Sequence, residues 1–97
     1  MKDFLDSLSD RDAAEIVAAM KDVQRHGLSV ARHLRGDIYE VRADGDRQVF
    51  RILFAPEGKR QTILLALDGF SKKTQKTAPA TLALAERRLR DWRNRGN

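Results

Sequence analysis

An α+β domain is the fold this chain predicts, with N-terminal helices, a three-stranded antiparallel meander and a C-terminal helix. Three observations carry that expectation. Apolar residues recur at helical spacing from Ala13 to Val23, the period changes to two between Ile38 and Leu67, and helical spacing returns with Leu82, Ala85 and Leu89. At 97 residues the chain makes one domain, spanning 1–97, because so short a sequence cannot enclose a second core.

Phe4, Leu5 and Leu8 suit a short helical turn on the same layer as the helix that follows. Ser9 is a good N-cap with Asp12 in the first turn. Ala13, Ile16, Met20 and Val23 then form one stripe up to a stop at Gly27, so residues 10–26 are expected as a helix. His26 and His33 flank the glycine and lack a third ligand at metal spacing, which leaves them as ordinary surface or helix-end histidines. Residues 38–43, 48–55 and 62–68 read as strands, separated by turns at Asp44-Gly45-Asp46 and Pro56-Glu57-Gly58-Lys59. Thr77 can cap the last helix with Pro79 in its first turn. Leu82, Ala85, Leu89 and Trp92 then share one face, opposite the basic Arg87, Arg88, Arg90 and Arg93.

The strand pattern also fixes directions. Phe50, Ile52 and Phe54 form one face of their strand, so Arg51 points the other way, and Tyr39 and Val41 leave Glu40 and Arg42 outside. For both outward sets to share a face the intervening loop must be even, most simply a two-residue Asp44-Gly45 turn pairing Ala43 with Asp46. That register puts Glu40, Arg42, Arg47 and Arg51 on one polar face.

Composition narrows the function classes. The 19 basic residues outnumber 14 acidic ones, giving +5 at pH 7 and a sequence pI near 10.1, which favours an anionic partner. Zero cysteines exclude disulfides, thiolate catalysis and Cys-type zinc sites. No window approaches the roughly 20 apolar residues of a membrane span. The Met1-Lys-Asp-Phe-Leu-Asp start has no apolar signal core, so a cytoplasmic protein without membrane partners is expected.

The stretch from Leu65 to Pro79 concentrates chemistry. An apolar run ends at Gly69-Phe70 and hands over to Lys72, Lys73 and Lys76, interleaved with Ser71, Thr74, Gln75 and Thr77. Cations and small polar donors where a strand ends and a helix begins are what a phosphate backbone needs. With Leu34-x-Gly36-Asp37-Ile38-Tyr39-Glu40-Val41-Arg42 and Arg51-Ile52, this run resembles the phage-derived branch of the RelE/HigB-like toxins of bacterial type II toxin–antitoxin pairs, over Phe4 to Arg88. The resemblance implies a ribosome-associated endoribonuclease, or mRNA interferase, that cuts messenger RNA and is silenced by an antitoxin. That antitoxin is expected to be a helix-turn-helix protein encoded next door. Family members usually begin with a strand: either the sheet lacks that edge strand, which would favour a homo-oligomer, or it lies upstream of Met1.

RNA cleavage without a metal needs a base for the ribose 2′-hydroxyl, an acid for the leaving 5′-oxygen and cations for the phosphate. Arg51 and Arg42 are the candidates for phosphate, because a guanidinium stays charged and bonds two oxygens. Glu40, Lys72 and Lys73 are the candidates for proton transfer, since a lysine crowded by cations gives up its proton more readily. Arg47, Thr74 and Lys76 would hold flanking RNA backbone, and Arg87, Arg88 and Arg90 an acidic partner. No metal or organic cofactor is implied. Each residue has a plainer reading beside this one: Glu40 and Arg42 as a solvated ion-pair network, the lysines as a solvated loop, Tyr39 and Trp92 as packing. The alternative reading is a non-catalytic nucleic-acid-binding module that uses the same basic face, or a phage-derived adaptor whose basic helix binds an acidic protein.

Overall fold

A computed structural model describes residues 8–46, 48–58, 63–71 and 78–95. Helix α1 spans Asp10–His26, and a 3-10 turn follows at Gly27–Val30. Four strands come next, β1 (Arg32–Arg35), β2 (Ile38–Asp44), β3 (Val49–Glu57) and β4 (Ile63–Ser71), before helix α2 at Pro79–Asn94. All neighbouring strands are antiparallel and their order across the sheet is β1-β2-β3-β4.

The expected start of α1 is realised: the Ser9 hydroxyl accepts from the Asp12 amide at 3.2 Å, satisfying one of the free N–H groups of the first turn. Ile16 and Val23 carry the stripe into the core, and the Gly27 amide closes the helix on the Val23 carbonyl. Leu8 packs on this layer; Phe4 and Leu5 lie outside the described residues. At the other end, α2 begins at Pro79 after an extended Ala78 that offers no side-chain cap. Thr77, the expected cap, lies outside the described residues.

The sheet has a fourth strand that hydrophobic patterning did not announce. Arg32-His33-Leu34-Arg35 contains one apolar residue and no alternation, so β1 is held by its ladder to β2, with Leu34 alone packed against the sheet's second core. A two-residue Gly36-Asp37 turn makes that ladder possible, with Gly36 at φ +54°, a conformation open to glycine and strained for most other residues. In the next hairpin the ladder continues to Asp44 opposite Val49, so residues 45–48 form the loop and Ala43 faces Phe50, not Asp46. Four is also even, and the predicted sharing of faces survives the longer loop.

A helix covers each face. On one, α1 lays Ile16 and Val23 against Val41, Ala43, Phe50, Ile52 and Phe54. On the other, α2 lays Ala85 and Leu89 against Ile38, Leu53, Ala55 and Leu67. The face expected to be polar is therefore a second apolar core over much of its length. Three arginine contacts fasten α2 there. Arg35 meets Glu86 at 2.9 Å; Arg88 donates to the Leu67 carbonyl at 2.6 Å and lies 3.3 Å from Asp68; Arg93 donates to Glu57 at 2.9 Å and to Asp37 at 2.8 Å. Glu57, and Asp37 after it, raise the pKa of Arg93 above its ordinary value by hydrogen bonding.

Candidate nucleic-acid interface

The part of this face that α2 leaves polar lies where β2 ends and β3 begins. There Arg42 and Arg51 stand directly opposite each other across the ladder. Like charges at opposed positions repel, so the arrangement needs anions, and two carboxylates supply them. Arg51 Nη1 donates to Glu40 Oε1 at 2.5 Å along the diagonal of the ladder, and Arg42 Nε donates to Asp44 Oδ1 at 3.0 Å.

These two pairs differ in kind. Glu40 is only 3% exposed and the Arg51 side chain 18%, so their bridge is largely removed from water, whereas Arg42 and Asp44 are both open to solvent. Glu40 faces Leu53 across the ladder, which puts its carboxylate beside the second core instead of on an outer polar surface. That burial fits a positioning role, fixing the Arg51 guanidinium, better than a role as a base open to substrate. Arg51 Nε is buried and has no acceptor among the described residues. An unsatisfied buried donor costs about 1–3 kcal/mol.

Neighbouring contacts hold the loop under this pair. The Asp12 carboxylate at the start of α1 accepts from the Asp46 amide at 2.9 Å, Arg11 lies 3.2 Å from Asp46, and the Gly45 amide donates to the Gln48 carbonyl at 2.9 Å. Gly45 has no room for a side chain: a Cβ there would lie 2.6 Å from a ring carbon of Phe50 and 2.7 Å from Asp12 Oδ1. Gln48 is joined to Ser71, the last residue of β4, by a hydrogen bond from the serine hydroxyl. The end of β4 is thus tied to the loop beside Arg51.

The remaining sequence candidates fall into two groups. Arg47, Lys72, Lys73, Thr74 and Lys76 lie outside the described residues. Among the partner-binding candidates, Arg87 and Arg90 are exposed, while Arg88 is engaged with β4. Sequence reasoning missed Arg32, which pairs with Glu40 in the β1–β2 ladder and so stands on the same face as Arg42 and Arg51. No periodicity marks it; the Gly36-Asp37 turn was the available signal that a hairpin arm precedes β2. Among the described residues no group of three or more His, Cys, Asp or Glu side chains could hold a metal ion. No helix there is long and apolar enough to cross a membrane.

A four-stranded antiparallel sheet between an N-terminal and a C-terminal helix is consistent with a RelE-like α+β fold. A family model described as phage derived protein Gp49-like (DUF891) matches residues 3–90. The chain belongs to this Gp49-like phage-derived family, which lies within the toxin–antitoxin-associated RelE/HigB-like superfamily. No curated protein and no solved structure matches the chain significantly.

Proposed function

We propose that this chain is the toxin of a type II toxin–antitoxin pair, an endoribonuclease that cleaves messenger RNA by attack of a ribose 2′-hydroxyl on the adjacent phosphate. Family membership supports the toxin class, and the observation that carries the chemistry is the opposed Arg42–Arg51 pair backed by buried Glu40. Two guanidinium groups on neighbouring strands suit one phosphate. As in-line attack proceeds, negative charge grows on the non-bridging oxygens, and cations already in place stabilise the transition state more than the ground state. Glu40 acts here as a positioning residue, and Lys72 and Lys73, which follow directly on β4, take the proton transfers and further charge neutralisation. Lys76, Thr74 and Arg47 bind flanking backbone. The partners on this reading are the ribosome, messenger RNA and an acidic antitoxin that covers Arg87 and Arg90, and the compartment is the cytoplasm.

The test is induction of the chain alone, with and without the neighbouring gene. Growth arrest rescued by the neighbour, with RNA fragments ending in 2′,3′-cyclic phosphate, is the expected result. Binding of RNA with no fragments would replace the enzyme by a non-catalytic binding module. Harmless expression without RNA binding would leave neither.

A further inference from the structure

An open cavity of about 360 Å³ lies between the β1–β2 turn and the C-terminal half of α2, away from the Arg42–Arg51 end of the sheet. Ile38 and Leu89, both buried in the second core, give it an apolar floor. Arg35, Arg90 and Arg93 stand around it with the carboxylates of Asp37 and Glu86. Arg35 and Arg93 are already paired with acids, whereas Arg90 is exposed and has no ion pair among the described residues.

The cavity joins the candidate site by a basic track. Ile38 and Arg42 share a face of β2 four residues apart, about 13 Å at the usual strand rise. Between them, on the adjacent strand, the ladder places Arg32 beside Glu40 and Arg35 beside Ile38. Arg32 is exposed and, like Arg90, without an ion pair among the described residues. A single strand leaving the Arg42–Arg51 pair along β1 therefore meets Arg32, then Arg35, then the cavity.

We propose that this cavity holds a nucleotide of the bound RNA on one side of the scissile phosphate, with its base against the arginine side chains of the cavity wall and its phosphate on Arg90. The inference rests on the ribonuclease reading and adds where the strand runs. Unpaired RNA bases are recognised by stacking on flat or apolar groups, arginine planes included, and by hydrogen bonds along their edges. A base edge carries donors as well as acceptors, so it can meet Asp37 and Glu86 as readily as Arg35.

The experiment uses uncleavable 2′-O-methyl RNA oligomers of about three to about eight nucleotides, with affinity read by fluorescence anisotropy. The chain should bind the longer oligomers about tenfold more tightly than the shortest, the size of gain that one stacked base gives. Arg90→Gln, whose folding is checked by thermal melting, should lose most of that gain, and Arg32→Gln should reduce it. Arg25→Gln, an equal change of charge at the end of α1, should keep it. An undiminished gain in Arg90→Gln overturns the cavity assignment. So does length-dependent quenching of Trp92, the single tryptophan, which lines a separate cavity beside β4 and would place the strand there. If no oligomer binds at any length, the ribonuclease reading falls as well; if oligomers bind without any gain, only the cavity assignment falls.

Discussion

Arg51 Nη1 lies 2.5 Å from Oε1 of Glu40, a carboxylate on the neighbouring strand that is 3% exposed. An outward arginine of the kind the strand pattern predicts would contribute little to stability, and Arg51→Ala would then report on catalysis alone. The observed pair changes that expectation. Truncating one partner of a largely buried ion pair leaves the other charge without it, at a cost of about 3 kcal/mol. Arg51→Ala should therefore lower the denaturant midpoint as well as abolish RNA cleavage, and Glu40→Gln should destabilise by a similar amount. In the double variant Glu40→Gln/Arg51→Ala the loss should be well below the sum of the two singles. Additive losses would show that the pair does not act as a unit.

Arg51→Lys separates the two roles. A lysine keeps the charge beside Glu40 but loses the planar fork that bonds two phosphate oxygens. Stability should recover most of the loss seen in Arg51→Ala, because the charge partner of Glu40 is kept, while cleavage stays down by about tenfold or more. Full activity in this variant would assign Arg51 to the fold and not to the phosphate.

Gly45 offers a test of the loop beneath the pair. A methyl group there would stand 2.6 Å from Phe50 Cε2 and 3.0 Å from the Gln48 carbonyl, and Phe50 is sealed in the core with nowhere to move. Overpacking of this kind costs about 1–3 kcal/mol. Gly45→Ala should show that loss in chemical denaturation, together with faster amide exchange at Asp46, whose N–H bonds Asp12. Unchanged exchange would mean that the loop is not held by α1.

The parts of this molecule that depend on alternation were legible beforehand. Phe50, Ile52 and Phe54 announce a buried face, and with an even loop they require Arg51 and Arg42 to share the other, which the Arg42–Arg51 ladder pair realises. What alternation cannot show is what covers that other face. The second core is assembled from Ile38, Leu53 and Ala55, interleaved with polar residues that look outward until α2 is placed over them, and Glu40 is buried as a consequence. β1 escaped for the opposite reason: Arg32, His33 and Arg35 are exposed, and backbone pairing leaves no hydrophobic signature. Arg88 reads as a surface cation, yet it docks α2 on β4, a contact between residues 21 apart.

Arg93 ties the end of α2 to the β1–β2 turn through Asp37 and to the end of β3 through Glu57. Because it is two-fifths exposed, solvent screening limits the worth of these pairs to about 1 kcal/mol. The sign of its pH dependence follows from a folded pKa raised above the ordinary arginine value. Stabilisation by the charge is fully present below the ordinary value and is lost only as pH climbs through the raised one, beyond the range in which the fold is handled. The loss in Arg93→Gln measured by urea denaturation should therefore be the same at neutral and at mildly alkaline pH, and smaller in high salt. A loss that vanished at mildly alkaline pH would contradict the assignment of the contact to the guanidinium.

The lysines that follow β4 in sequence supply the last test, which asks whether their charge reaches RNA. Ser71, the residue before them in sequence, is fixed to Gln48 in the loop beside the arginine pair. Each phosphate contact made to single-stranded RNA releases condensed counterions and contributes about 0.7 to the slope of log affinity against log salt. Replacing Lys72, Lys73 and Lys76 together by glutamine should flatten that slope by up to about 2 units and weaken binding most at low salt. Lys73→Ala alone should keep most of the affinity and lose turnover if this lysine moves a proton, since general acid–base roles are worth roughly 10²–10⁴ in rate. A triple variant with the parent slope would make the run a solvated loop and leave Arg42 and Arg51 as the whole of the phosphate site.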